Sequence, residues 1–206
     1  MTGLPDGVRH FPGALDADAQ TVLVDDIRAV VAAAPLFTPV MPRTGKPMSV
    51  RMSNCGPLGW VTDKQDGYRY QSTHPATGEP WPAMPPRIMA LWDSFAGYAH
   101  PPEACLINFY APDARMGLHQ DRDESDFDAS VLSVSLGDDC LFRVGGSKRG
   151  GKTVSLRLQS GDVLVLGGAS RLAYHGVDRI YPGTSMLLKQ PGRINLTLRR
   201  VTKPSD

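Results

Sequence analysis

The sequence predicts a mainly β protein, a sandwich or barrel of short strands covered by two flanking helices. Two observations predict it. From Ala104 onward, apolar runs of about four to eight residues alternate with turn residues, a texture that fits sheets better than helices. The chain of 206 residues also holds 21 Gly and 18 Pro, enough to break it into many short elements. Its length fits a single domain over residues 1–206.

Residues 16–34 place Leu23, Ile27, Val30, Val31 and Ala34 at helical spacing. Pro35 stops that run, and Asp16 or Asp18 is available to cap its start. Residues 36–82 read as irregular. They are rich in Pro, Gly and aromatics, with MSVRMSNCGPLGW followed by Tyr68-Arg69-Tyr70. A long irregular stretch inside one domain is the usual form of a binding loop or lid. A second helix starts at Pro85–Pro86 and carries Ile88, Leu91, Trp92 and Phe95 on one face. Strands are expected at 104–110, 130–136, 140–144, 153–158, 162–167, 171–176 and 193–201, separated by Gly145–Gly146, Gly150–Gly151, Ser160–Gly161 and Pro182–Gly183. Residues 1–100 thus supply helices and a lid, and residues 101–206 the β core.

No apolar run approaches the roughly 20 residues of a membrane span. The start, MTGLPDGVRHF, lacks the basic-then-apolar layout of an export signal. Cys55, Cys105 and Cys140 form no CxxC pair, which argues against a zinc knuckle or a disulfide frame and for the cytoplasm. The net charge of +1 is uninformative, but its distribution is not. HQDRDESDFD (119–128) holds five of the 21 acids and one of the 22 bases, leaving the rest of the chain at +5. Either this is a solvated acidic loop, or a metal neutralises part of it and the remaining surface attracts a polyanion.

His119-Gln120-Asp121 can aim an imidazole and a carboxylate at one point, because residues two apart in extended chain face the same way. Alone, such a pair is common by chance. His175, in RLAYHG, is the natural third ligand. Two His and one carboxylate leave three octahedral positions open, which suits Fe(II) that must take both a co-substrate and O₂. The last expected strand strengthens this reading. Arg193, Asn195, Thr197 and Arg199 alternate with Ile194, Leu196 and Leu198, so one face bears two guanidiniums and an amide. Such a face is either a wet surface or a clamp for a carboxylate. A dicarboxylate that chelates iron at one end needs a cation at the other. Asn108 and Tyr110 stand two apart just before the His-x-Asp loop and can hydrogen-bond the same acid.

At this point the chain resembles the AlkB family of Fe(II)/2-oxoglutarate dioxygenases, and in particular its bacterial DNA-repair branch. The matching stretches are NCGPLGW (54–60), PWPAMP (80–85), ACLINFYAP (104–112), LHQDRDE (118–124), SVSLG (133–137), GGSKR (145–149), SGDVLVLGG (160–168), SRLAYHG (170–176) and RINLTLR (193–199). They preserve their order over most of residues 48–200, and the first 40 or so residues add little. The resemblance implies a double-stranded β-helix, or jelly roll, with N-terminal helices and a nucleotide-recognition lid. It implies iron ligands His119, Asp121 and His175, and 2-oxoglutarate contacts from Asn108, Tyr110, Arg193, Asn195 and Arg199. Arg199 is expected at the distal carboxylate and Arg193 nearer the metal. Trp60, Tyr68, Tyr70, Asp123 and Arg149 are expected to face the damaged base. Two departures are visible: Leu166 stands where the bacterial repair enzymes carry Trp, and the segment between Trp60 and Tyr68 is one residue longer.

The implied reaction is oxidative dealkylation of ring nitrogens, as in 1-methyladenine and 3-methylcytosine, with aldehyde release and conversion of 2-oxoglutarate and O₂ to succinate and CO₂. Alkylation there makes the base cationic, which aromatic faces and the carboxylate of Asp123 or Glu124 would favour. The same aromatics would also serve as ordinary core packing. The expected substrate is alkylated single-stranded DNA, with RNA or duplex DNA carrying a flipped base as alternatives. Lys148, Arg149, Lys152 and Arg157 either meet phosphates or are plain surface bases. A monomer is expected.

Overall fold

The structure is a computed structural model that describes residues 3–204. Two antiparallel sheets face each other. The larger is built from β1 (Val8–Phe11), β10 (Val163–Leu166), β7 (Val131–Gly137), β12 (Arg193–Arg199), β5 (Ala104–Tyr110) and β2 (Val50–Cys55), in that spatial order. The smaller holds β6 (Met116–His119), β11 (His175–Tyr181), β8 (Asp139–Gly145) and β9 (Thr153–Leu158). This is the expected jelly roll. A separate hairpin joins β3 (Gly59–Asp63) to β4 (Gly67–Gln71).

Strict alternation on the central strands sorts two cores. Leu196 and Leu198 of β12 point outward with Leu132, Val134 and Leu136 of β7, and with Cys105 and Ile107 of β5. There they meet Leu23, Val24 and Ile27 of helix α1 (Ala17–Ala33), and Ile88 and Trp92 of helix α2 (Pro86–Phe95). Between the sheets lie Leu106, Tyr110, Phe142, Val144, Leu158, Leu166 and Val177. The even-numbered apolar residues of β12 therefore anchor it to the helices, and the odd-numbered polar ones face the space between the sheets.

Both helices form where the periodicity places them. Asp16 caps α1 by accepting from Ala19 N at 2.8 Å, and Pro86 occupies the first turn of α2. The strand readings at 104–110 and 153–158 match, and those at 130–136, 140–144, 162–167 and 193–201 are right to within two residues. The stretch 36–82 is a correction: it holds β2, β3 and β4 instead of irregular chain. Ser53 and Asn54 are fully buried in β2, so polar side chains hid that strand. The strand read at 171–176 is shifted. Gly168–Ser170 form a 3-10 turn and extended pairing begins only at His175. β1 and β6, four residues each, were too short to show a pattern.

One close approach matters for the site. β6 pairs with β11 through His119 opposite His175 and Met116 opposite Val177, with a register shift between. Gly176 lies in that gap, where a Cβ would stand 2.5 Å from Met116 O and 2.8 Å from Gly117 O. Only glycine lets β6 come close enough to present His119 beside His175. Gly176→Ala is expected to push β6 outward, at a cost of about 1–3 kcal/mol from overpacking. Denaturant unfolding together with Mn(II) titration checks this; unchanged stability and metal affinity would show that β6 does not need the contact.

Candidate active site

The mouth of the jelly roll is assembled from three places in the chain. His119 ends β6, Asp121 begins the following loop, and His175 opens β11. One ligand atom from each lies within 4.8 Å of the others. His119 Nε2 is 3.6 Å from Asp121 Oδ1, and His175 Nε2 is 3.5 Å from Asp121 Oδ2. Both imidazoles turn Nδ1 to a backbone carbonyl two residues earlier, Gly117 O and Ala173 O, each at 2.9 Å. That fixes Nδ1–H as the donor and leaves both Nε2 lone pairs for a cation. Burial, followed by the neighbouring His175, pushes His119 down to about 4, so it stays neutral and able to ligate. Asp121 is 4% exposed. Burial opposes its charge, but Arg199 and the two imidazoles outweigh that and hold it well below the usual carboxylate range. Its Oδ2 has no hydrogen-bond partner. A buried, ionised, unpartnered oxygen beside two imidazole Nε2 atoms fits a divalent cation.

Behind the triad lies a closed charge cluster. Arg199 Nη2 donates to Asp121 Oδ1 at 2.7 Å, and Nη1 donates to Glu124 Oε1 and to the Tyr70 hydroxyl, both at 2.9 Å. The Tyr70 hydroxyl donates in turn to Glu124 Oε1. Glu124 Oε2 accepts from Arg171 Nη2 at 3.2 Å. Arg171 also donates to Ala129 O and to Asp121 O, each at 2.7 Å, and lies 5.4 Å from the Phe127 ring centroid. Asp126 is buried too and accepts from Tyr98 Oη at 2.7 Å. The stretch 119–128 is therefore no solvated acidic loop, since Asp121, Glu124 and Asp126 are interior and individually partnered.

A second set of groups lines the inner face of the large sheet. Across the register, Arg193 faces Tyr110 and Asn195 faces Asn108. Arg193 is 1% exposed, donates through Nη2 to Ser135 Oγ at 2.9 Å, and keeps Nε and Nη1 without partners. The Tyr110 ring centroid is 5.3 Å from that guanidinium. Burial pushes the Tyr110 phenol up to about 12, so it remains a donor. Asn108 Oδ1 is unpartnered, and turning its amide over would aim Nδ2 at the same space. Asn195 is already committed within the sheet: Nδ2 donates to Ser133 Oγ at 2.8 Å and Oδ1 accepts from Thr197 Oγ1 at 3.0 Å. A buried guanidinium with two free N–H groups, beside a phenol, fits one end of a carboxylate. The contacts of the arginines differ from the sequence expectation: Arg199 sits against Asp121, and Arg193 is the one with free donors.

The residues expected at the base divide as well. Trp60 stacks on Tyr68 with centroids 5.6 Å apart and 21° between planes, and its Nε1 donates to Asp123 Oδ2 at 2.8 Å. These three form one unit, with Tyr68 half exposed. Tyr70, opposite Trp60 in the hairpin, instead turns its hydroxyl inward to Arg199 and Glu124. Arg149 is exposed and, with Lys148, Tyr174 and Leu118, lines a groove of about 430 Å³ along β6. Reading from sequence missed Arg171 and gave Glu124 only as a stand-in for Asp123. The available signal was an arginine inside the short run before His175, since arginine is almost never fully buried unless paired.

Two imidazoles and a carboxylate on one side, and a buried guanidinium with free donors on the other, fit the site of an oxygenase that uses Fe(II) and 2-oxoglutarate. The 2OG-Fe(II) oxygenase superfamily description matches residues 7–199. The "Alpha-ketoglutarate-dependent dioxygenase AlkB homolog" of Caulobacter vibrioides is 54% identical over 200 residues, 97% of this chain and 90% of that protein. The dioxygenase AlkB of Escherichia coli K12 is 45% identical over 190 residues, 90% of this chain and 87% of that one. The solved structure of OsALKBH1 superposes with a TM-score of 0.79 at 31% identity, covering 97% of this chain and 99% of its own. The chain belongs to the AlkB family of 2-oxoglutarate-dependent dioxygenases, so its reaction requires Fe(II), 2-oxoglutarate and O₂.

Asp121→Ala removes the only carboxylate of the triad and is expected to abolish turnover and Mn(II) binding; EPR of bound Mn(II) checks it, and retained binding would show the triad misassigned. The two arginines are expected to separate. Arg193→Gln should raise the KM for 2-oxoglutarate by roughly 30-fold or more, the cost of truncating a buried charge partner being about 2–5 kcal/mol. Arg199→Met should instead lower stability by about 3–5 kcal/mol, because it strands Asp121 and Glu124 as buried charges. Arg199→Met that leaves stability intact and raises only the KM would restore the sequence expectation.

Proposed function

We propose that this enzyme removes alkyl groups from ring nitrogens of nucleobases, of the 1-methyladenine and 3-methylcytosine type, in single-stranded DNA. The observation that carries the reading is the Trp60–Tyr68 stack tied to Asp123, two residues beyond the metal carboxylate Asp121. An alkylated base is a flat cation. Aromatic faces attract it, and the Asp123 carboxylate favours its charged form over the neutral repaired base. Trp60 holds Asp123 Oδ2, which leaves Oδ1 toward the ligand. Supporting names come from shorter matches. A DNA N(6)-methyladenine demethylase of Arabidopsis thaliana matches 48% of this chain, and a tRNA demethylase of Schizosaccharomyces pombe matches 40%.

The roles follow from the available atoms. His119 Nε2, His175 Nε2 and Asp121 Oδ2 hold the iron. Arg193, with the Tyr110 phenol and the Asn108 amide, takes the far carboxylate of 2-oxoglutarate, and Asn195 keeps β12 in register beneath it. Arg199 holds Asp121 in place. The site so loaded supplies the hydroxylating equivalent: one atom of O₂ goes to the alkyl carbon, the other to succinate, and CO₂ is lost. The hydroxyalkyl base then breaks its C–N bond, returning the electron pair to the ring nitrogen and releasing aldehyde. The β3–β4 hairpin acts as the recognition lid, and Lys148 and Arg149 meet a phosphate along β6. The target base must leave the stack, which favours single strands over duplex. The protein works as a monomer in the cytoplasm.

Product analysis on alkylated single-stranded DNA, duplex DNA and RNA tests this, with 2-oxoglutarate decarboxylation followed in parallel. The expected result is formaldehyde and restored base from methylated single strands. Decarboxylation without turnover of any alkylated nucleic acid would overturn the substrate and leave the oxygenase intact. Trp60→Ala is expected to raise the KM for the oligonucleotide about 5- to 150-fold, the equivalent of losing one stacking platform worth about 1–3 kcal/mol.

A further inference from the structure

The resemblance puts Tyr70 among the residues that face the base, but its contacts say otherwise. On the same hairpin, Tyr68 is half exposed and stacked on Trp60, as a ligand-facing aromatic should be. Tyr70 is mostly covered, and its hydroxyl is fully engaged inside the protein. It donates to Glu124 Oε1 and accepts from Arg199 Nη1 at 2.9 Å. The same guanidinium uses its other terminal nitrogen to hold Asp121 Oδ1 at 2.7 Å. With Oδ1 so held, Oδ2 is the oxygen left without a partner, facing His175 Nε2 at 3.5 Å.

We propose that Tyr70 is a positioning residue of the metal centre, fixing through Arg199 which oxygen of Asp121 is presented to the cation. A guanidinium is a planar fork, so anchoring one arm sets the direction of the other. The anchor at the Tyr70 end has two legs, its hydroxyl and Glu124 Oε1, and the hydroxyl also bonds that carboxylate, closing a three-membered ring of hydrogen bonds. Arg171 completes the support by holding Glu124 Oε2 and the Asp121 carbonyl. Removing the hydroxyl leaves Arg199 paired to both carboxylates but free to swing about the Glu124 contact. Asp121 can then rotate and share Oδ2 less well. The hairpin that carries Trp60 and the carboxylate that carries the cation are thereby joined by two hydrogen bonds.

The inference rests on the triad as a metal site, and metal titration of the wild-type chain checks that separately. The test is Mn(II) affinity by EPR, with the charge-transfer band of anaerobic Fe(II) and 2-oxoglutarate recorded at saturating metal, for wild type, Tyr70→Phe and Thr62→Val. Tyr70→Phe keeps the ring and removes the hydroxyl. It is expected to weaken Mn(II) binding about tenfold, the low end for partners of metal ligands, and to shift the band. The KM for a methylated oligonucleotide at saturating metal should not move. Thr62→Val removes a different anchor of the same hairpin, the 3.1 Å hydrogen bond from Thr62 Oγ1 to Val40 O. It should lower the melting temperature and leave metal affinity and band unchanged. Unchanged metal binding with a raised oligonucleotide KM in Tyr70→Phe would return Tyr70 to the base and overturn the proposal. So would equal weakening by Thr62→Val, since hairpin docking alone would then explain the effect. Failure of wild type to bind Mn(II) would sink the metal reading itself.

Discussion

Two carboxylates, Asp121 and Glu124, are interior and share the guanidinium of Arg199. The rest of the site depends on keeping that cluster satisfied. A charge taken out of water is tolerated only when it is paired and hydrogen-bonded. Each partner here comes from a different part of the chain: β12 gives Arg199, the turn before β11 gives Arg171, the hairpin gives Tyr70, and the loop after β6 gives both acids. No one of these segments can settle without the others. The ligand loop has no regular structure between Gln120 and Ser130, and its buried carboxylates and the backbone contacts of Arg171 tie it to the interior.

The jelly roll makes this cluster compatible with a hydrophobic core. Because β12 alternates strictly, its leucines knit the large sheet to the helices while its arginines, Asn195 and Thr197 share the inner face. The polar lane continues sideways into Ser133 and Ser135 of β7 and Asn108 of β5, which are next to it in register. The free donors of Arg193 at one end of β12 and the guanidinium of Arg199 that holds Asp121 at the other are thus carried by one strand. Side chains positioned from sheet strands are more exactly placed than those from loops, and oxygenase chemistry benefits from that precision.

Much of this was legible in the sequence, for a physical reason. Alternation over RINLTLR and the apolar runs from Ala104 to Leu166 report burial directly, so the strands were found there. The N-terminal strands were not, because β2 buries Ser53 and Asn54 and thus reads as polar. The direction of the two arginines was not legible either. Spacing says that Arg193 and Arg199 share a face, but which of them meets Asp121 depends on how the loop after β6 folds back, and that is a property of the buried acid cluster. Likewise Tyr68 and Tyr70 look equivalent as aromatics two apart, although one stacks outward and the other is committed to Arg199.

The backbone carbonyls that hold both histidine Nδ1 atoms carry a further consequence. The donor set stands complete in the folded chain, with tautomers chosen and the carboxylate ionised. Such a site takes up a cation without refolding, and it has little means of refusing one. Imidazole and carboxylate donors bind divalent ions in an order that rises from iron through cobalt and nickel toward copper and stays high at zinc. Rigid preassembly therefore gives no advantage to iron over its stronger-binding competitors. Which metal occupies the protein is then decided by the supply in the surrounding cell, and contact with excess zinc or nickel would silence the enzyme while leaving its fold untouched.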